Sequence, residues 1–365
     1  MTKILLLTPD LKDMGGVTNY YNTLGLHESP DIEVFFVNSA QKETSIDKII
    51  RLIRRYIQFL LLLISKNFRI IHVNPSFDKK SFFRDAMFVF IGLLFKKKVL
   101  VFFRGWDETF EHSVHHSFLK KKIMNLTFGK CNNFIVLSQL FKNKIIALSP
   151  QLKNKNIWVE TTVADDSFLP QFNLDHKLSS TEISFLFLSR IVKEKGIFIA
   201  LEAYRLVKNK FPNLNLKLII AGDGPALGEA KHFTKVNNID AVEFTGYVLG
   251  KEKGKLLLQS KILIFPTFHG EGLPNTVLEA MLYGMPIISR INAGIPDVVE
   301  ANINGFLTTH KDPEIFSNFM EKLILNKNLY EEMAMVNHIK GKSLFTKTKV
   351  KARILGIYQK ISKED

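Results

Sequence analysis

One cysteine, Cys131, stands among 365 residues, which excludes an internal disulfide framework and points to a reducing compartment. Long hydrophobic runs are missing too. The longest, YIQFLLLLI (Tyr56–Ile64) and AMFVFIGLLF (Ala86–Phe95), fall well short of the ~20 residues that a membrane-spanning helix needs. The opening MTKILLLTPD has too short an apolar stretch before Pro9 and Asp10 for the core of a signal peptide, and reads as a first β-strand. There is no short-period repeat and no low-complexity tract beyond a few lysine clusters. Acidic residues are scarce: 35 Asp and Glu face 50 Lys and Arg, for a formal net charge of +15.

That excess is local. Between Lys48 and Arg104 thirteen Lys and Arg face two acids, Asp78 and Asp85. Here RLIRRY, KK and KKK alternate with Phe and Leu runs. Such a basic, amphipathic face suits anionic lipid head groups, at ~1 kcal/mol per suitably placed cation, or else is a solubilising surface over core helices. No RNP, zinc-finger or helix-turn-helix signature accompanies the charge, so nucleic acid is not expected as a partner.

With 46% hydrophobic and 23% charged residues the chain is globular, and its length suits two domains. Short β-branched and aromatic runs alternate with helical patterns from end to end. Strands are expected over 3–8, 31–38, 69–74, 98–103 and 132–138, then over 184–190, 216–223, 242–246, 262–267 and 286–289. These runs are nearly all apolar, as in strands covered on both faces of a parallel sheet. Their alternation with helices predicts two doubly wound α/β units. The polar stretch Ala164–Glu182 reads as the join, and the tail KTKVKARILGIYQKISKED as an amphipathic helix with Val350, Ile354, Ile357 and Tyr358 on one face.

In open α/β sheets ligands sit beyond the carboxyl ends of the strands, where Gly15, Gly16, Asn74, Arg104 and Asp107 fall in the first half. In the second half Arg190 to Gly196, Gly222 to Pro225, Gly246, Tyr247 and the stretch HGEGLPNTVLEAMLYGMPII (His269–Ile288) do so. Two sheets lined this way imply a cleft between them. In the last stretch a helix is expected from about Pro274 to Tyr283, stopped by Gly284 and Pro286. Its first amides, near Asn275, Thr276 and Val277, make a phosphate seat, and Gly272 lets the backbone approach a ligand. Glu279, four residues after Asn275, lies one turn deeper and suits vicinal hydroxyls such as those of ribose. Glu271 suits a second set of hydroxyls. Arg190 and Lys195, in SRIVKEKG, supply cations worth ~1.5–3 kcal/mol each when shielded. The second half thus reads as a binder of a nucleoside diphosphate carrying a hydroxyl-rich group. The bland alternative makes Glu271 and Glu279 solvated carboxylates and AGDGPA a plain turn.

The E-x7-E pattern of EGLPNTVLEAM, with SRIVKEKG and AGDGP upstream, resembles the retaining glycosyltransferases of family 4. The likeness is most specific over Ser184–Leu307 and looser over the first 165 residues. It implies the GT-B fold: two Rossmann-like doubly wound domains facing across a cleft, residues 1–168 on the acceptor side and 169–345 binding the nucleotide sugar, with a helix over 346–365 crossing back to the first. It further implies that Arg190 and Lys195 contact the donor diphosphate, that Glu279 holds the ribose, and that Glu271, Gly272 and Leu273 contact the donor sugar. Gly246 and Tyr247 would flank the base, and Gly15 and Gly16, in DMGGVTNYY, would approach the diphosphate and acceptor. One departure stands out: where the family often has His-Gly after the fourth strand, this chain has FRGWDETF. Arg104 cannot act as a base, but suits an acidic acceptor or phosphate, with Asp107 a polar partner.

The resemblance implies transfer of a sugar from a UDP- or GDP-sugar to an acceptor hydroxyl with retention of configuration. No cofactor or metal is expected: G-x-G-x-x-G is absent, and His112, His115 and His116 in EHSVHH read as a solvated helix rather than zinc ligands. The basic first half suggests a saccharide or lipid-linked acceptor of a bacterial surface polysaccharide, and a cytoplasmic protein peripheral to the inner face of the cell membrane. Two other readings stand beside this one, a nucleotide-sugar 2-epimerase of the same shape and a non-catalytic nucleotide-binding subunit.

Overall fold

The computed structural model describes residues 3–13, 15–38, 45–270 and 272–364. The chain forms two compact units, Met1–Thr162 with Thr348–Asp365, and Val163–Lys347; the join had been expected at 168/169 and the return at 345/346.

The first unit holds one six-stranded, all-parallel sheet of β1 (Ile4–Thr8), β2 (Ile32–Phe36), β3 (Ile70–Val73), β4 (Lys98–Phe103), β5 (Asn133–Val136) and β6 (Asn156–Val159). Its order is β2-β1-β3-β4-β5-β6, so the direction of winding reverses at β1 and β3. The helices Ser45–Ser65 and Lys79–Leu94 lead into β3 and β4 in the same direction across the sheet. Right-handed crossovers therefore put both on one face, opposite the helix Gly16–Leu24. The last helix, Lys347–Lys363, buries Val350, Ile354, Ile357, Tyr358 and Ile361 and belongs to this unit. Tyr358 Oη lies 2.7 Å from His72 Nδ1, and Arg353 pairs with Glu160 at 2.7 Å.

The second unit repeats the plan with β7 (Ile183–Leu188), β8 (Leu216–Ala221), β9 (Val242–Gly246), β10 (Ile262–Phe265), β11 (Ile287–Arg290) and β12 (Gly305–Thr308). Its order, β12-β11-β10-β7-β8-β9, is the 3-2-1-4-5-6 winding of a dinucleotide-type Rossmann sheet counted from its other edge. The reversal lies between β7 and β10. Strands β6 and β12 were not among the ten expected. Each is four residues long and closes a sheet edge, and neither NIWV nor GFLT presents the long apolar run of a central strand.

Candidate functional site

The second unit carries a cavity of about 470 Å³ at the carboxyl ends of its strands. Leu188, Ser189 and Arg190 enter it after β7, Gly222 and Asp223 after β8, Tyr247 to Leu249 after β9, and Asn275, Thr276 and Glu279 from the helix after β10. It thus sits at the strand reversal, where open α/β sheets hold ligands.

Backbone contact shapes its wall. The amide of Ile191 donates to Asp223 O at 2.9 Å, and that of Ala226 to Ile191 O at 3.0 Å. Gly222 has φ +145°, and a Cβ there would stand 1.8 Å from Ser189 O. The glycine of AGDGP is therefore demanded by the fold of the wall itself.

The helix after β10 runs Asn275–Leu282, with Pro274 as its cap residue and no side-chain cap. The Val277 amide, expected to be open, donates to Pro274 O at 3.1 Å, because the first turn tightens to i→i+3 bonding. The seat narrows to the Asn275 and Thr276 amides; Thr276 Oγ1 in turn donates to Leu188 O at 3.0 Å, pinning the helix start to the end of β7.

Glu279 is only 5% exposed and does not stand alone. Lys253 Nζ lies 2.9 Å from its Oε1 and 3.0 Å from Asp165 Oδ2. Burial works against the charged lysine, but Glu279 and Asp165 together outweigh it and hold its pKa above the ordinary lysine value. The triad carries one cation and two carboxylates, so acceptor capacity remains on Glu279 for hydroxyl donors. Sequence reasoning missed Lys253 and Asp165. The one signal was the Gly250-x3-Gly254 spacing beside Lys253: Gly254 packs on the Phe168 ring so closely that a Cβ would sit 2.5 Å from it, which turns this stretch of helix inward.

Lys195 is half-buried beside Phe265, its Nζ 5.7 Å from the ring centroid. Burial, then the charge of Arg190, brings its pKa down to about 8. Arg190 itself is exposed. Gly246 takes φ +72° with open space at its Cβ position, and Tyr247 is exposed at the cavity mouth. Gly272 O accepts from the Gly294 amide at 2.9 Å, and Leu273 is buried. Glu271 lies outside the described residues.

In the first unit the strand ends hold a different constellation. His72 is fully buried between Tyr358 and Tyr21, whose hydroxyl lies 3.4 Å from Nε2 and donates to Asn74 Oδ1 at 2.7 Å. Asn74 Nδ2 donates to Leu7 O at 2.9 Å, so this side chain ties β3 to β1. Asp107 caps the helix Glu108–His115, accepting from the Phe110 amide at 3.0 Å. Gly15 is the cap residue of Gly16–Leu24, and a Cβ on Gly16 would meet nothing within 4 Å. The Arg104 guanidinium lies 4.0 Å from the centroid of Tyr20 and 4.2 Å from that of Phe102, while its buried Nη1 lacks a hydrogen-bond partner. Among the described residues no three His, Cys, Asp or Glu side chains converge as metal ligands.

Residues 172–336 match the family model described as glycosyl transferases group 1. Among curated relatives, the chain is 27% identical over 259 residues to an uncharacterized glycosyltransferase, MJ1069, of Methanocaldococcus jannaschii, covering 68% of this chain and 65% of that one. It is 24% identical over 265 residues to the amylovoran biosynthesis glycosyltransferase AmsK of Erwinia amylovora, covering 67% and 63%. The chain thus spans a little under two thirds of the length of these relatives. Among solved structures, a glycosyltransferase from Rickettsia africae superposes with a TM-score of 0.74 at 16% identity, over 100% of this chain and 99% of that one. Anabaena HepE in complex with UDP gives 0.71 at 15% identity, over 98% and 100%. Residues 172–336 thus resemble the glycosyl transferases group 1 model, in a chain with the two-sheet α/β fold of the GT-B glycosyltransferases.

Proposed function

We propose that the protein is a retaining glycosyltransferase of family 4 that moves a sugar from a nucleoside diphosphate sugar to an acceptor hydroxyl in the synthesis of a surface polysaccharide. The observation that carries this reading is the placement of Glu279, at the floor of a strand-end cavity, one helical turn beyond the open amides of Asn275 and Thr276. Diphosphate at the helix start leaves a ribose within reach of the carboxylate that Lys253 orients. Arg190 and Lys195 supply cations for the departing diphosphate, and stabilising charge that develops only in the transition state is where such groups act most. Gly246 and Tyr247 flank the base, and Glu271, Gly272 and Leu273 meet the donor sugar. The anomeric C–O bond to phosphate breaks while the acceptor oxygen bonds to the same carbon on the same face. The acceptor proton passes to the departing phosphate oxygen, so no protein base is required, in keeping with a guanidinium at position 104. In the first unit the unpartnered Nη1 of Arg104 is suited to an anionic group of the acceptor.

The test is a thermal-shift panel of UDP, GDP, ADP and their sugars, beginning with UDP because HepE was solved with UDP and with UDP-glucose. A true donor at 100 times its Kd adds ~2.7 kcal/mol of stability. Glu279→Ala must weaken that ligand by at least about tenfold, the ~1.5 kcal/mol of a charged hydrogen bond. Binding as tight as the parent's would remove the ribose assignment.

A further inference from the structure

The helix Ser45–Ser65 of the first unit presents three faces where a helix on a soluble domain presents two. Tyr56, Phe59 and Leu63 turn inward, and Phe59 and Tyr56 pack edge-on against Phe88 of the neighbouring helix with centroids 5.1 and 4.8 Å apart. Lys48, Arg51, Arg55 and Gln58 form a polar sector. The third sector is apolar and faces solvent: Ile46, Ile50, Ile53, Ile57, Leu61 and Ile64 are each between 48% and 69% exposed, with Arg54 along the border. The neighbouring helix Lys79–Leu94 adds its own row, Phe83, Met87, Phe90 and Leu94, at spacings of four, three and four residues. Isolated exposed apolar residues are ordinary, but two contiguous rows on adjoining helices are not.

Both helices end at one place. After Ser65 the chain runs into Asn67 and Arg69, and after Leu94 into Lys96, Lys97 and Lys98. With Lys3 these residues line a pocket of about 440 Å³ that has five cations and no acidic residue in its wall, Lys98 Nζ donating to Ile361 O and Lys97 Nζ to Asn67 Oδ1. It lies where β1, β3 and β4 begin, at the opposite edge of the sheet from the strand ends that hold Asn74 and Arg104.

From these rows and this pocket we infer that the first unit docks on the surface of an anionic phospholipid bilayer, the two apolar rows lying among the outer acyl carbons and the five-cation pocket receiving lipid phosphate. The charge pattern selects this occupant: a second copy of the chain would bring the same cations to the contact, whereas an anionic surface complements them. Among the described residues no helix is long and apolar enough to cross a membrane, and the arrangement is that of a helix pair lying in the interface. Docking does not rest on sugar transfer, so the two fail separately.

Flotation of the full chain with vesicles tests it, using phosphatidylcholine alone against an equal mixture with phosphatidylglycerol. The parent should float with the mixed vesicles and release as salt rises. Ile53→Asp with Ile57→Asp should abolish flotation with the mixed vesicles. Lys96→Gln with Lys97→Gln should lose about fivefold per cation on the mixed vesicles only. An unchanged thermal transition shows that these exposed-site variants fold. The proposal is overturned if the parent stays unbound with mixed vesicles, if either double variant floats like the parent, or if Ile53→Asp abolishes a dimer while vesicles capture nothing.

Discussion

The two units are alike in sheet and unlike at the strand ends. Each has six parallel strands, yet the first winds 2-1-3-4-5-6 and the second as a 3-2-1-4-5-6 Rossmann sheet. At the reversal in the first unit, a neutral imidazole is locked among tyrosines and one asparagine whose polar atoms are spent on each other and on β1. At the reversal in the second, a lysine sits between two carboxylates over an open cavity, with Arg190 also in its wall. In the first unit the imidazole, tyrosine and asparagine groups hold one another, with Arg104 Nη1 beside them unpartnered, whereas in the second the paired triad borders an open cavity. That difference is what directs the donor proposal to the second unit.

The sharpest way to break the contrast is through the glycines. Gly222→Ala drives a Cβ into the Ser189 carbonyl at a backbone angle that L-residues rarely adopt, and neither strand can move without breaking the sheet. We expect a loss of more than ~3 kcal/mol, at the upper end for point substitutions, with donor binding lost alongside. Gly16→Ala meets open space in a helical first turn and should leave stability the same or higher by up to ~1 kcal/mol. Urea unfolding of both variants checks the pair; equal losses would mean that the wall of AGDGP is not set by its backbone contact.

The second prediction concerns the first unit alone. Burial, then the charge of Arg104, brings the His72 pKa down to about 3, against ~6.5 in an unfolded chain. Between those values the unfolded state binds a proton that the folded state does not. Stability is therefore complete above pH 6.5 and falls by ~1.4 kcal/mol per unit as pH drops towards 3. The chain's two tryptophans, Trp106 and Trp158, both lie in this unit, so their fluorescence follows its unfolding. At pH 5 the parent should lose ~2 kcal/mol more than His72→Gln does; parallel losses would show that other groups carry the acid sensitivity.

What was legible divides along the same line. The central strands were readable because burial on both faces leaves apolar runs; of the four edge strands, β2 and β9 still carried β-branched and aromatic residues enough to be read, whereas the four-residue β6 and β12 did not. The order of the strands was not readable, since either winding is compatible with the same alternation of runs. Glu279 and the helix start were legible because capping, helical spacing and anion chemistry all act within a dozen residues. Lys253 and Asp165 were not, because their carboxylate and ammonium meet only through folding, 88 positions apart in the chain. Asn74 and Asp107 show the converse. Both lie at strand ends, where ligand contacts gather, but the tie to Leu7 and the cap on Phe110 are made by side chains whose partners the local sequence does not mark.

Lys195 yields the finest test of the second unit's readiness for an anion. Burial and Arg190 bring it to about 8, so in the empty protein it is mostly charged at pH 7 and mostly neutral at pH 9. A diphosphate favours the charged form and raises this pKa on binding. Affinity for a nucleoside diphosphate should therefore be flat below pH 8 and weaken by up to about tenfold per unit above it, until the bound-state pKa is passed. Calorimetric titration at pH 7 and 9 in two buffers of different ionisation enthalpy also reads the proton taken up at the higher pH. Lys195→Arg, which cannot lose its charge, should remove both the slope and the uptake. A slope that survives in that variant would assign the titration to another group and leave Lys195 as a charged neighbour of Phe265 with no part in holding phosphate.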